Sequence, residues 1–161
     1  MNVKVISKIL IDSDETHVWD CLCDAKMEIS SPWWFKLGIP TPQQCLVVNE
    51  NKGVVTNRQC QTSQGIINQK IIEWHPYYRL SFVPISDTIG LDNHVKNMKD
   101  TFFLKSVDGK ILLTRLTQIE VIGIGAKIKS IMLRLILKNI HVFVMKNFKT
   151  IAEKKRHESF S

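Results

Sequence analysis

The chain has 161 residues, 44% hydrophobic and 23% charged, which suits one soluble globular domain over residues 1–161 and excludes a disordered or fibrous chain. Its net charge of +7 resides in residues 126–161, where nine Lys and Arg stand against two Asp and Glu, while the rest of the chain holds thirteen of each sign. No low-complexity tract or internal repeat is evident. Near the N-terminus apolar residues alternate with Lys4, Ser7 and Lys8 and no small-residue cleavage site follows, so no signal peptide is expected and a cytoplasmic location is. Cys21, Cys23, Cys45 and Cys60 form no CxxC pair and are expected as reduced thiols filling apolar space.

Residues 3–11 alternate apolar and polar side chains, the pattern of a strand. Asp12, Ser13, Asp14 and Glu15 stop it, and Ser13 or Asp14 is placed to cap a helix running through Val18, Trp19 and Leu22 to about Lys26. Pro32 breaks the chain before the bulky Trp33, Trp34 and Phe35, which fit a second short helix. Pro40 and Pro42 then exclude helix. Strands follow at residues 45–50, 54–62, 66–74, 79–85, 96–107 and 110–122. Turns are expected at Asn51-Lys52-Gly53, Ser63-Gln64-Gly65 and Asp108-Gly109, the last being the strongest hairpin signal. Short turns imply antiparallel neighbours, so the class is α+β.

Gly123 and Gly125 precede one long helix, residues 126–157, apolar around most of its circumference. With Arg134 at zero and 100° per residue, Lys127, Ser130, Lys138 and His141 fall within about 40° as one polar stripe. Met132, Ile136, Ile140 and Phe143 lie opposite, with Asn139 beside them, and are expected to face inward. Arg134, Lys138 and His141 interrupt the apolar run well before the ~20 residues of a membrane span. The stripe and the basic tail Lys154-Lys155-Arg156 read either as a solvated face suited to a helix C-terminus or as a transient contact for an anionic membrane.

The order of elements, together with several local patterns, resembles the START-like, or SRPBCC, superfamily: polyketide cyclases, lipid-transfer START domains and birch-pollen-allergen-like proteins of helix-grip fold. The first pattern is Ile11-Asp12-Ser13-Asp14-Glu15-Thr16-His17-Val18-Trp19, an apolar residue, a small cap, an acidic turn and Val-Trp. The second is the strand-Pro-strand corner of Ile71-Ile72-Glu73-Trp74-His75-Pro76-Tyr77-Tyr78-Arg79-Leu80. The third is the Gly turn and Thr-rich strand of Gly109-Lys110-Ile111-Leu112-Leu113-Thr114-Arg115-Leu116-Thr117, and the last is the helix end Asn147-Phe148-Lys149-Thr150-Ile151-Ala152-Glu153. The resemblance covers essentially the whole chain. It implies a seven-stranded antiparallel sheet curved around the last helix, one or two short helices after the first strand, and a hydrophobic cavity between sheet and helix.

Several residues are candidates for lining such a cavity. Strand alternation sets Phe82 apart from Arg79 and Ser81, Phe102 apart from Thr101, and Leu116 with Gln118 apart from Arg115. Met132, Ile136 and Phe143 would come from the helix. Arg58, in mid-strand, either points inward to pair with a ligand carboxylate or phosphate, or lies outward on the convex face. Gln118, with Glu120, and Asn139 either orient a ligand or satisfy water and backbone. Of Trp33 and Trp34, one is expected to anchor the core and the other to line the entrance or touch a membrane.

No catalytic constellation stands out. The five histidines have no metal-ligand spacing with one another or with the cysteines, and there is no phosphate loop, nucleophile elbow or dinucleotide fingerprint. The expected function is binding, with transport as an extension, of a hydrophobic or amphipathic small molecule, with no metal, cofactor or nucleic acid. A polyketide-cyclase- or dehydratase-like enzyme and a protein-interaction module similar to Hsp90-ATPase activators are the alternatives. The oligomeric state is left open.

Overall fold

The computed structural model describes residues 1–48 and 56–161. Strand β1 spans Asn2–Ile11 and helix α1 Glu15–Cys23, capped by Asp14, whose carboxylate accepts from the His17 amide at 2.9 Å. The chain does not stay helical to Lys26. It turns into a two-residue strand, β2 (Ala25–Lys26), and a 3-10 helix follows at Trp33–Leu37. Then come β3 (Pro42–Val47), β4 (Asn57–Thr62), β5 (Gly65–His75), β6 (Arg79–Asp87), β7 (Val95–Val107), β8 (Lys110–Val121) and α2 (Ala126–Ser159). The turn expected at Asn51-Lys52-Gly53, and the start of the strand at Val54, lie outside the described residues.

All described strands join one antiparallel sheet of order β1-β8-β7-β6-β5-β4-β3-β2. Eight strands replace the expected seven. The addition is β2, too short to show a period-2 pattern, which pairs Ala25 with Cys45. The β7–β8 turn is the Asp108-Gly109 hairpin foreseen from sequence. Both residues take positive φ, 50° and 73°, which matches the strand twist and explains the Asp-Gly pair.

Helix α2 lies along β1 and β8 and against α1. The main core gathers Val18, Leu22, Phe82, Phe102, Leu113 and Phe148, and a smaller one joins Val3, Val5, Ile119 and Val121 to Leu133 and Leu137 of α2. In addition, Cys45 and Cys60, directly opposite across β3 and β4, form a disulfide. This corrects the expectation of four reduced thiols. Cys21, with its thiol pushed up to about 11 by burial, and Cys23 remain buried fillers.

The helix is rotated from the expected orientation. Of its polar stripe, Ser130 and His141 face the sheet and are buried, while Lys127 and Arg134 stay exposed, and Met132 is 56% exposed. The cause is polar lining on the strands. Lys138 Nζ donates to Ser7 Oγ at 3.1 Å and to the Ile6 carbonyl at 2.8 Å, and the His141 ring bridges Ser7 and Thr117.

Candidate functional site

Strand β8 turns Ile111, Leu113, Arg115 and Thr117 toward the helix, and the flanking β7 contributes Asp100, Phe102 and Leu104. Asp100 lies deep in this face. Arg115 Nη2 donates to its Oδ2 at 2.5 Å, and Thr117 Oγ1 donates to its Oδ1 at 2.8 Å. Burial would raise the Asp100 carboxyl pKa, but the Arg115 guanidinium outweighs it and holds the group below its ordinary range.

Because the Thr117 proton goes to Asp100, its oxygen accepts from His141 Nε2 at 2.8 Å. The other ring nitrogen, Nδ1, then accepts from Ser7 Oγ at 3.1 Å, and Ser7 accepts from Lys138. One hydrogen-bond sequence thus runs from Lys138 to Asp100 with every donor pointing the same way. It fixes His141 as the neutral Nε2–H tautomer. Burial, and next the Arg115 charge, push its pKa down to about 3.

A second arginine enters the interior with two of its nitrogens lacking such partners among the described residues. Arg58, on β4, is 3% exposed, and its guanidinium carbon sits 4.8 Å from the centroid of the Phe82 ring. Phe82 neighbours Phe102 at 6.0 Å, and Arg115 lies 5.2 Å over Phe102 on the other side. Two guanidiniums therefore flank an aromatic pair, but one carboxylate, Asp100, is already committed to Arg115. Arg58 Nε and Nη1 are buried with no hydrogen-bond partner among the described residues. Burial, and next the repulsion from Arg115, lower the Arg58 pKa to about 10, which still leaves it cationic at neutral pH.

An open groove of about 390 Å³ is lined among others by Met27, Ile29, Pro42, Gln44, Gln61 and Phe143, and does not include Arg58 or Asp100. Asn147, fully buried, shapes its rim. Its side-chain oxygen accepts from the Glu28 and Ile29 amides at 2.7 and 3.2 Å, and its nitrogen donates to the Lys26 carbonyl at 2.8 Å, tying the segment after β2 to α2. Phe35 of the 3-10 helix packs edge-on against Phe143 at 5.1 Å.

A curled antiparallel sheet closed over a long C-terminal helix recurs in solved structures. The Zhui aromatase/cyclase from Streptomyces sp. R1128 superposes with a TM-score of 0.69 at 11% identity, covering 96% of each chain. A START superfamily protein from Mycobacterium smegmatis gives 0.64 at 9% identity, over 94% of this chain and 97% of that one. Norcoclaurine synthase from Thalictrum flavum, in complex with dopamine and hydroxybenzaldehyde, gives 0.64 at 12% identity, over 96% and 88%. The chain has the START-like, helix-grip fold. No family model matches its sequence, and no curated protein matches it.

Within this helix-grip fold the candidates from sequence separate into groups. Arg58, Phe82, Phe102 and Phe143 are buried on the inner side, and Ile136 is half-buried. Leu116 and Gln118 turn to the other face of β8, opposite Thr117, so their expected direction is corrected. Both faces of that strand carry leucines, and the charge of Arg115 pointed to the wrong one as solvent-facing. Met132 and Asn139 face solvent on α2, Asn139 donating to the Leu135 carbonyl one turn back. Trp33 is exposed, while Trp34, half-buried, packs against the main core and stacks at 4.1 Å on Phe35, which is buried in it. Of the eleven candidates, Phe143 is the one that lines the groove. Sequence reasoning passed over Asp100, His141 and Asn147 as interior groups. For His141 the available signal was its place on an otherwise apolar stretch of α2, whereas Asp100 and Asn147 stand among polar neighbours that gave none.

Proposed function

We propose that the protein, read as one ligand-binding domain, holds a hydrophobic or amphipathic small molecule between sheet and α2, and that Arg58 receives an anionic or strongly accepting group of that ligand. The observation that carries this is the buried, cationic Arg58 with Nε and Nη1 unpaired. A guanidinium in that condition costs several kcal/mol unless an acceptor arrives, and a carboxylate or phosphate fits its fork. Phe82 and Phe102 offer apolar surface beside it, and burial at ~25 cal/mol per Å² would supply most of the affinity. The solved helix-grip structures include an aromatase/cyclase and a synthase with two small aromatic molecules bound, which supports a small-molecule site in this fold. Binding is favoured over catalysis because Asp100 and His141 are saturated by protein partners rather than turned to a reactant.

No helix among the described residues is long and apolar enough to cross a membrane. The Cys45–Cys60 bridge removes the thiol argument for a reducing compartment.

The test is calorimetric titration with a fatty acid and with its uncharged amide. Saturable binding that favours the acid, and loss of that preference in Arg58→Met, is the expected result. Absence of binding by either ligand to a folded protein, shown by circular dichroism, overturns the reading.

A further inference from the structure

The first half of α2 carries large apolar side chains on the face turned away from the sheet. Ile128, Ile131, Met132 and Leu135 are 68%, 61%, 56% and 62% exposed, and Ile124, in the turn just before the helix, is 97% exposed. With Ile128 at zero, Ile131, Met132, Leu135 and Val142 all fall within about 60° of it, one stripe that exposed Asn139 interrupts before Val142. Leu133 and Leu137, on the opposite face, pack into the core with Val3 and Ile119. The stripe is therefore a separate surface from the Arg58 interior.

The stripe has charged borders of one sign. Lys127, Arg134 and Lys138 lie about 80–120° to one side and Lys129 about 100° to the other, while the first acidic residue of the helix is Glu153. Exposed apolar surface of this extent marks a contact site. Its borders choose the occupant. A second copy laid face to face would set lysine and arginine rows against each other, and a neutral surface would leave them unanswered. An anionic bilayer satisfies both components, taking the apolar stripe into its interface and the basic rows against its headgroups. We infer that α2 docks this protein, lying in the plane of the interface, on a membrane surface bearing anionic lipids. The inference does not rest on the ligand site proposed above.

The experiment is sedimentation of the full chain with vesicles of phosphatidylcholine alone and of phosphatidylcholine with about one-third phosphatidylserine. Binding is expected on the anionic vesicles, and at least ten-fold weaker on neutral vesicles or at ~1 M salt, where charges are screened within about 3 Å. Lys127→Gln with Arg134→Gln should weaken binding about twenty-five-fold, five-fold per charge removed. Ile131→Glu with Leu135→Glu should abolish it. All four positions are solvent-facing, so circular dichroism and the melting temperature should stay unchanged. The inference is overturned by no binding to anionic vesicles at low salt, by equal binding to both vesicle types, or by charge variants that bind like the parent. A dimer in solution that Ile131→Glu with Leu135→Glu dissociates, without vesicle binding, would assign the stripe to a second copy instead. Arg58→Met should bind vesicles as the parent does, so a failed ligand site and a failed docking face give different results.

Discussion

Replacing Arg58 by methionine should make the unliganded protein more stable while removing its preference for an acidic ligand. Methionine keeps most of the aliphatic stem and discards the charge. Two routes give the magnitude. Arg58 Nε and Nη1 lack partners, and each buried unsatisfied donor costs about 1–3 kcal/mol, against which the cation–π contact with Phe82 returns about 1–2 kcal/mol. Independently, lowering the Arg58 pKa from its ordinary value to about 10 corresponds to about 3 kcal/mol against the charged form. Both point to a gain of about 3 kcal/mol, or roughly 6–12 °C in melting temperature for a chain of this size. The sign follows from linkage. The folded-state pKa lies below the unfolded one, so the penalty is complete at any pH below about 10 and is relieved only as pH rises above it toward the ordinary arginine value. The stabilisation should therefore be equal at pH values of about 6 and about 8. Urea unfolding of both proteins at those two pH values measures it, with calorimetry for the fatty acid. A loss of stability in Arg58→Met would refute the reasoning, because it would mean that the guanidinium is held by the protein itself.

Three further outcomes are expected. His141, neutral in the fold with a pKa of about 3 against 6.5 unfolded, should make unfolding easier as pH falls below 6.5, by about 1.4 kcal/mol per pH unit. His141→Met should flatten the part of that slope above the carboxylate range, as read by urea midpoints between pH ~6.5 and ~4.5. Asp100→Leu should cost about 3–5 kcal/mol by orphaning Arg115, and Asp100→Leu with Arg115→Met should recover most of it in thermal melts; if the double variant is no better than the single, the pair is not the unit that matters. Reducing the Cys45–Cys60 bridge should cost up to about 3 kcal/mol for a closure of this length, and thiol titration of the unfolded chain should rise from two groups to four; four thiols before reduction would show that the bridge is not formed.

The architecture was legible in the sequence because its signals are local. Asp14 caps α1 through its own side chain, and Asp108-Gly109 supplies the two positive φ values a tight hairpin needs. The register irregularities were less legible. The pairing of β5 with β6 slips twice, leaving an extra residue, Ile85, on β6 beside Asn68 and another, Ile72, on β5 beside Ile71, and each extra residue shifts the alternation of its own strand. Strand β2 is only two residues long and depends on β3 for its existence.

The orientation of α2 and of β8 failed to emerge for one shared reason. A periodic pattern divides an element into faces, but when both faces are apolar it is the charged residues that seem to mark the outside. Here the charge and the polarity are internal and complementary across elements distant in sequence. Arg115 is turned inward because Asp100 is there to meet it. Ser7 of β1, Thr117 of β8 and His141 of α2 complete one another, with Ser7 and His141 134 positions apart in the sequence. Neither element's pattern contains the other, so the pairing cannot be read from either alone. Turning Ser130 and His141 toward the sheet carries Ile128, Met132 and Leu135 to the surface, as a rigid helix requires. The exposed apolar stripe is thus the geometric counterpart of the buried polar network. By the same rule of pairing, Arg58 is the exception: an interior cation left without the complement that Arg115 has, on the side of the sheet where a ligand would supply it.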